Sequence, residues 1–449
     1  MKRNKNYQPF LLISSTILIL ITFSFFKLPI VPYLNHLDSI DILSEVRKTS
    51  TGITDFKNIK IIYDSSYISK LPTDQNLILD YGLDSAYSLR TFFNKLDKSY
   101  LSKNKVRIAY FGDSFIEGDY ITDELRKLLQ QEYNGHGIGF LPIQSVVSDN
   151  YRFINFKSIN NWIDYNFLDN SNKYQVGLGG HVFFSNGMSK VEYRSKNGEI
   201  FSKIKIYTGK ISNPTILNIE KDNKKETLTI YKDQLVNEIS INENYPIRKI
   251  TISTPNVDLP IYGLNIDDTS GIYIDNYGFR GNTGALNLRI SKEVIKQFNS
   301  HLHYDLVILH YGINAMEHGQ EKFGWFDNSM SKFIQNVKLS VPNTPILLIS
   351  TSDVGYKLNG KYSTEHAVPF MVETQNNIAL KHKVAFWNLF NSMGGKNTIV
   401  NWVEGDSTFA YRDYTHLNSN GAKKIATIFF SKLIASKSYY SKNSKKEKI

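Results

Sequence analysis

Four short stretches, distant along the chain, carry residue types that together could open an ester. Gly112-Asp113-Ser114 follows the apolar run Val106 to Phe111, so a hydroxyl stands at the carboxyl end of a predicted strand, where a nucleophile is exposed. A serine needs a base and a group that orients the base. Among the ten histidines, His416 stands out because Asp413 precedes it by three residues in the loop YRDYTHLNSNG. That loop feeds a predicted helix from Ser419 to about Leu433, so both side chains can project from one turn toward the same end of a sheet. A tetrahedral oxyanion then needs rigid donors. Gly281 in FRGNTG and Asn314, two residues after Gly312, are the candidates. Singly, each stretch has a plainer use: Gly-Asp-Ser and Gly281 as turns, Asn314 as a strand-end cap.

The elements that must position these residues are legible as pattern. Val106 to Phe111, Tyr304 to His310, Pro345 to Thr351 and Val384 to Leu389 are apolar strand-like runs. Helical spacing separates them: Leu83 to Leu96, a stretch starting near Thr122 as N-cap, Ser329 to Leu339 and Pro369 to Lys381. Strands alternating with helices predict an α/β fold with a parallel sheet covered on both faces, and sites at its carboxyl edge. From Tyr151 to Asp268 the texture changes to short alternating runs such as Ile204 to Tyr207, separated by turns such as Asn186-Gly187, which predicts an inserted β-sandwich.

The chain has 449 residues, of which 41% are hydrophobic and 21% charged, enough to bury the core of more than one unit. It has no cysteine, which excludes disulfides, thiolate catalysis and zinc-thiolate sites. The net charge of +11 is spread, with local runs only at Lys221 to Lys225 and in the tail from Ser441, so no nucleic-acid partner is expected. Lys2, Arg3 and Lys5 precede the apolar stretch Phe10 to Phe26, and no small residues follow it. This predicts an uncleaved transmembrane signal anchor, a membrane partner, and an envelope location with everything after about Pro32 on the periplasmic side. The expected division is an anchor at 1–30, a linker and helical lead-in at 31–100, and a first catalytic segment at 101–150. The β insert at 151–268, a second catalytic segment at 269–440 and a basic tail at 441–449 complete it.

Taken in order, Gly112-Asp113-Ser114, Gly281, Gly312-Ile313-Asn314 and Asp413-Tyr414-Thr415-His416 resemble the SGNH, or GDSL, hydrolase superfamily. The resemblance covers Lys105 to Pro142 and Asp275 to about Lys432. It implies a flavodoxin-like three-layer fold and acyl-ester chemistry. Ser114 is the implied nucleophile, His416 the base and Asp413 its orienter, with Ser114, Gly281 and Asn314 as the oxyanion hole, Asp113 structural, and neither metal nor cofactor. GDSFIEGDYITDELRKLLQ followed by NGHGIGFLP is similar to the branch of bacterial peptidoglycan O-acetylesterases, whose inserted β domain resembles a carbohydrate-binding module. An acylated envelope polysaccharide is the implied substrate. An O-acyltransferase using the same residues, a silent glycan-binding protein and a periplasmic lipase are the competing readings. Phe115 and Ile116 replace the second glycine of a lipase elbow, and Ala315 stands where relatives carry an acid.

Other motifs read as decoys. Gly135, Gly137 and Gly139 follow a helix instead of opening one, as a dinucleotide fingerprint would require. His301 and His303 would share one side of a strand, without a third metal ligand. Asp267 and Asp268 lack calcium-loop spacing, and Trp162, Tyr165 and Phe167 fit an aromatic core or a sugar-stacking surface.

Overall fold

Apolar runs without alternation need cover on both faces. A computed structural model describes residues 71–446, apart from short gaps at 73, 75–76, 84, 103, 170–172, 197, 199–200, 223 and 269, and shows how that cover is built. The expected anchor and the linker as far as residue 70 lie outside the described residues. Among the described residues no helix is long and apolar enough to cross a membrane.

In chain order the first elements are β1 (Leu79–Asp80), α1 (Leu89–Ser102), β2 (Lys105–Gly112), the one-turn α2 (Ser114–Glu117) and α3 (Tyr120–Tyr133). Two antiparallel sheets follow. Their strands are β3 (Gly139–Leu141), β4 (Ile154–Ile159), β5 (Ile163–Asn166), β6 (His181–Phe184), β7 (Lys190–Ser195) and β8 (Phe201–Thr208), then β9 (Thr215–Lys221), β10 (Lys224–Ile230), β11 (Asn237–Ile247), β12 (Lys249–Ser253) and β13 (Ile261–Asp267). The chain continues through β14 (Gly271–Gly278), α4 (Lys292–Leu302), β15 (Leu306–His310), α5 (Gly324–Ser340) and β16 (Ile346–Ile349). A hairpin of β17 (Gly355–Leu358) and β18 (Lys361–Thr364) precedes α6 (Ala367–Lys381), β19 (Ala385–Trp387), α7 (Leu389–Met393), α8 (Thr398–Glu404) and α9 (Ser419–Lys446).

The central sheet has the order β1-β19-β16-β15-β2-β14. Its last five strands are mutually parallel, in the order of a flavodoxin-like doubly wound sheet. β1 closes one edge antiparallel to β19. Helices α1, α3 and α9 pack together, as do α4, α5 and α6, which makes two helical layers around the sheet. Every residue of β15 and β16 is buried, as such a layered position demands.

Between α3 and β14 the chain builds sheets of order β10-β9-β12-β7-β4 and β11-β8-β13-β6-β5, with β3 on β13. Phe156, Tyr193 and Ile219 of one meet Phe183, Ile206 and Leu264 of the other in a single apolar cluster. The alternation of β9, with Thr215, Leu217, Ile219 and Lys221 buried, is what a half-covered strand shows. Trp162 and Phe167 are buried in this part of the fold.

Polar groups tie these sheets to the central one. Asp275 on β14 accepts from Arg107 of β2 at 2.7 Å, from the Phe140 N–H of β3 at 3.0 Å, from the Asn265 amide of β13 at 2.9 Å and from the Tyr304 hydroxyl at 3.0 Å. Arg107 also pairs with Asp267. Burial pushes the Asp267 carboxyl up, but Arg107 and Lys105 outweigh it and hold it below its usual range. Gly139 lets the chain cross β14 closely, since a Cβ there would stand 2.6 Å from the Ile274 carbonyl oxygen.

Several sequence expectations are corrected. The insert does not begin at 151, because β3 already pairs with β13. The stretch 31–100 is not all lead-in, because β1 belongs to the central sheet and α1 runs to Ser102. The tail does not begin at 441, because α9 continues to Lys446. Asp119, not Thr122, is the N-cap of α3, and the Thr122 hydroxyl turns back onto its carboxylate. His301 and His303 lie at the end of α4, not on a strand.

Removing the buried cation at this junction leaves Asp275 with no cation beside it and Asp267 with Lys105 alone. Arg107→Met should lower the unfolding free energy by about 3–5 kcal/mol in urea denaturation; a loss under about 1 kcal/mol would show that the pair does not hold the sheets together.

Candidate active site

β2 ends at Gly112 and the chain turns at once into α2, which leaves Ser114 half-buried at the sheet's carboxyl edge. Asp113 makes that turn. Its carboxylate accepts the Phe115 N–H at 3.0 Å as the cap of α2, while its other oxygen accepts from the Asn314 side-chain amide at 3.1 Å. Burial raises the Asp113 carboxyl to about 6, and the hydrogen bonds oppose that rise without cancelling it.

The loop between α8 and α9 brings the base. The Ser114 hydroxyl donates to His416 Nε2 at 3.1 Å, and His416 Nδ1–H donates to Asp413 Oδ2 at 2.8 Å, the tautomer assigned from the carboxylate partner. Asp413 Oδ1 also accepts the N–H groups of Thr415 at 3.0 Å and His416 at 2.9 Å. Partial burial pushes the Asp413 carboxyl up, but these hydrogen bonds prevail and hold it below its ordinary range, so the oxygen facing the imidazole stays ionised. The side chains of Asp413 and His416 are 49% and 45% exposed, so water exclusion around them falls to whatever occupies the site.

This loop has a support that sequence reading misses. Tyr414, between Asp413 and His416, adopts a left-handed backbone with φ 55°. Its ring stacks on Tyr362 of β18 at 3.5 Å with an interplanar angle of 11°, its hydroxyl donates to Glu404 at 2.8 Å, and its carbonyl accepts the Gly355 N–H at 2.8 Å. The β17–β18 hairpin thus clamps the segment that carries both Asp413 and His416. A contact between residues 362 and 414 leaves no local signal; only the Tyr at a left-handed position hints at a tertiary restraint.

Gly281 and Asn314 arrive from the strands that flank β2. After β14, the Phe279 N–H bonds the Gly112 carbonyl at 3.0 Å, and the Asn282 side chain accepts the Gly284 N–H at 2.8 Å and donates to Asn287 at 3.0 Å. Gly281 itself has φ 74°, a conformation that favours glycine. After β15, Gln375 of α6 donates to the Tyr311 carbonyl at 2.7 Å and accepts the Thr351 N–H at 2.8 Å, which locks the ends of β15 and β16 beside Asn314. The N–H groups of Ser114 and Gly281 enter no backbone hydrogen bond among the described residues.

All five candidate residues, Ser114, Gly281, Asn314, Asp413 and His416, line one open cleft of about 710 Å³. Phe115 and Ile116, which replace the lipase-type glycine, are buried, Phe115 on the cleft's wall, and Ala315 is buried next to Asn314 in the chain. Such an arrangement can activate a hydroxyl, direct it at a carbonyl and stabilise a negative oxygen. The decoy residues lie elsewhere: Asp267 in the ion pair with Arg107, Gly135 bridged to Gly271, and His301 and His303 on a separate cavity.

No family model and no curated protein matches the chain. Among solved structures it is similar to a peptidoglycan O-acetylesterase, with a TM-score of 0.67 and 20% identity over 80% of this chain and 99% of that one. A salicylyl-acyltransferase from a tetracycline biosynthetic pathway follows at TM-score 0.30 and 12% identity, over 62% of this chain and 97% of that one. An acetyl xylan esterase matches at TM-score 0.27 and 22% identity, over 35% of this chain and 79% of that one. With its sheet order, a serine at the end of the first parallel strand and the first of these neighbours aligned over nearly its whole length, the chain shares the α/β fold of that peptidoglycan O-acetylesterase.

Proposed function

We propose that the protein is a serine esterase that removes O-acyl groups, chiefly O-acetyl, from an envelope polysaccharide such as peptidoglycan. The observation that carries this reading is the relay from the Ser114 hydroxyl through His416 to Asp413, set in a cleft that also holds Gly281 and Asn314.

In the proposed reaction His416 Nε2 takes the Ser114 proton as Oγ attacks the ester carbonyl carbon. The carbonyl oxygen becomes an oxyanion held by the N–H groups of Ser114 and Gly281 and by the Asn314 amide. Asp113 keeps that amide in place through its hydrogen bond. His416 then returns the proton to the departing sugar oxygen, which breaks the ester bond and leaves an acyl-serine. Water, deprotonated by the same imidazole, attacks the acyl carbon; acetate leaves and Ser114 recovers its proton. Asp413 holds the Nδ1–H throughout and stabilises the imidazolium.

A glycan substrate is supported by the open form of the cleft and by Tyr411 on its wall, 55% exposed, whose face suits a sugar ring. The acetyl group is supported by the shared fold with a peptidoglycan O-acetylesterase. The basic residues before Phe10 to Phe26 support tethering by a membrane anchor with the catalytic segments on the periplasmic side.

Acetate release from O-acetylated peptidoglycan should exceed release from acetylated xylan and cleavage of a long-chain ester, and Ser114→Ala should abolish all three with an unchanged circular dichroism spectrum. Turnover surviving in clean Ser114→Ala protein would refute the assignment. Asn314→Ala should lower kcat by about 10²–10³-fold, read on a chromogenic acetyl ester. Tyr362→Ala, which touches no reacting atom, should lower kcat by up to about a hundredfold with KM held, because the Asp413–His416 loop loses its clamp; a kcat equal to the parent's would deny the hairpin that role.

A further inference from the structure

One turn carries two residues of the cleft. Buried Phe279 and Asn282 close it, the Asn282 N–H donating to the Phe279 carbonyl at 3.2 Å, while Arg280 and Gly281 stand exposed at its tip. Gly281 has φ 74°, as the third position of a type II turn requires, and a Cβ there would meet nothing within 4 Å. Arg280 and the Gly281 N–H are thus presented together beside open space, and both residues line the cleft.

The Arg280 guanidinium is used only in part. Its Nε–H donates to Glu117 at 2.7 Å, and Glu117 ends the one-turn α2 that begins with Ser114. This pair ties the turn that carries the nucleophile to the turn that carries Gly281. Glu117 is 15% exposed and Arg280 52%. The bond holds the guanidinium by its inner nitrogen, and the two terminal nitrogens make no hydrogen bond or ion pair among the described residues. A fastening role would be met by any cation; what a guanidinium adds is the end-on fork of N–H donors, and that fork is free.

The fork narrows the chemistry of what meets it. Two parallel N–H groups match the two oxygens of a planar carboxylate. Among the described residues Arg280 is the only permanent cation lining the cleft, which also holds the carboxylates Glu117 and Asp413. A singly charged group is matched there, whereas a doubly charged phosphate would leave charge unpaired before two carboxylates. Adjacent Cα atoms stand about 3.8 Å apart, so the guanidinium lies within the span of one or two sugar units from the Gly281 N–H.

Resting on the esterase reading, we propose that Arg280 is a specificity-determining residue that grips a carboxylate borne by the glycan close to the scissile ester, so that the site prefers acidic sugars. The test is a matched pair, the primary-hydroxyl acetate esters of N-acetylmuramic acid and N-acetylglucosamine, which differ by one lactyl carboxylate. Acetate release by the full-length protein in mild detergent at low salt should give a kcat/KM about tenfold higher for the acid, chiefly through KM. Raising sodium chloride should shrink that preference. Arg280→Gln should bring the ratio of the two constants to near one, and Arg280→Lys, which keeps the charge without the fork, should recover only part of it. A ratio cancels any loss common to both esters, so loosening of the Glu117 tie alone would leave it at the parent's value. A parent ratio near one, or a ratio unchanged in either variant, would overturn the proposal and leave the esterase reading intact; release from neither ester by the parent would remove both.

Discussion

The hydrogen bond between Ser114 and His416 joins residues 302 positions apart, and the rest of the site depends on it. It can form only where the parallel sheet delivers its loops to one edge. β2 brings the hydroxyl, its neighbours β14 and β15 bring Gly281 and Asn314, and the loop that leads into α9 brings the imidazole. Each loop is then pinned at its root by a buried amide or carboxylate: Asp113 below Asn314, Asn282 within the glycine turn, Gln375 between the ends of β15 and β16. In such surroundings a hydrogen bond left without its partner costs more than its formation contributes, so these side chains fix position as well as add stability.

The Asp413–His416 loop shows the same principle by another means. A non-glycine residue in the left-handed region costs about 1–2 kcal/mol. A stacked aromatic pair contributes about 0.5–1.5 kcal/mol beyond its buried area, so the Tyr362 stack and the Glu404 hydrogen bond are of the right size to offset Tyr414's backbone. The aspartate, the imidazole and the strained residue between them therefore stand or fall together.

Much of this is readable in the chain, because parallel strands buried on both faces leave continuous apolar runs. Val106 to Phe111 and Tyr304 to His310 match β2 and β15 to within two residues, and the loops after them follow from that. What the pattern hides has a physical reason in each case. β14 reads GIYIDNYG, and its Asp275 and Asn276 look like a turn until their partners across the sheets are known. β1 has two residues, too few for any period. α4 escapes the pattern although Ser291 caps it, because the strand after it dominates. Thr122 reads as a better cap than Asp119 because the left-handed conformation of Asp119 is set by tertiary contacts and leaves no trace in composition. The five candidate site residues share one cleft, whereas the clamp at Tyr362 and the amide locks are visible only in three dimensions.

The border of the sheet is fastened as well as covered. β1 is paired with β19 and fastened to α9: the Ile78 N–H bonds Ser436 Oγ at 2.9 Å, and Tyr440 Oη accepts the Asp80 N–H at 2.8 Å while donating to the Ile78 carbonyl at 2.9 Å. A pull arriving from residue 71 is therefore divided between the edge strand and the last helix, with three strands standing between that clasp and β2. A load applied at this end of the described chain would thus meet the sheet at its rim, three strands away from the loop that carries Ser114.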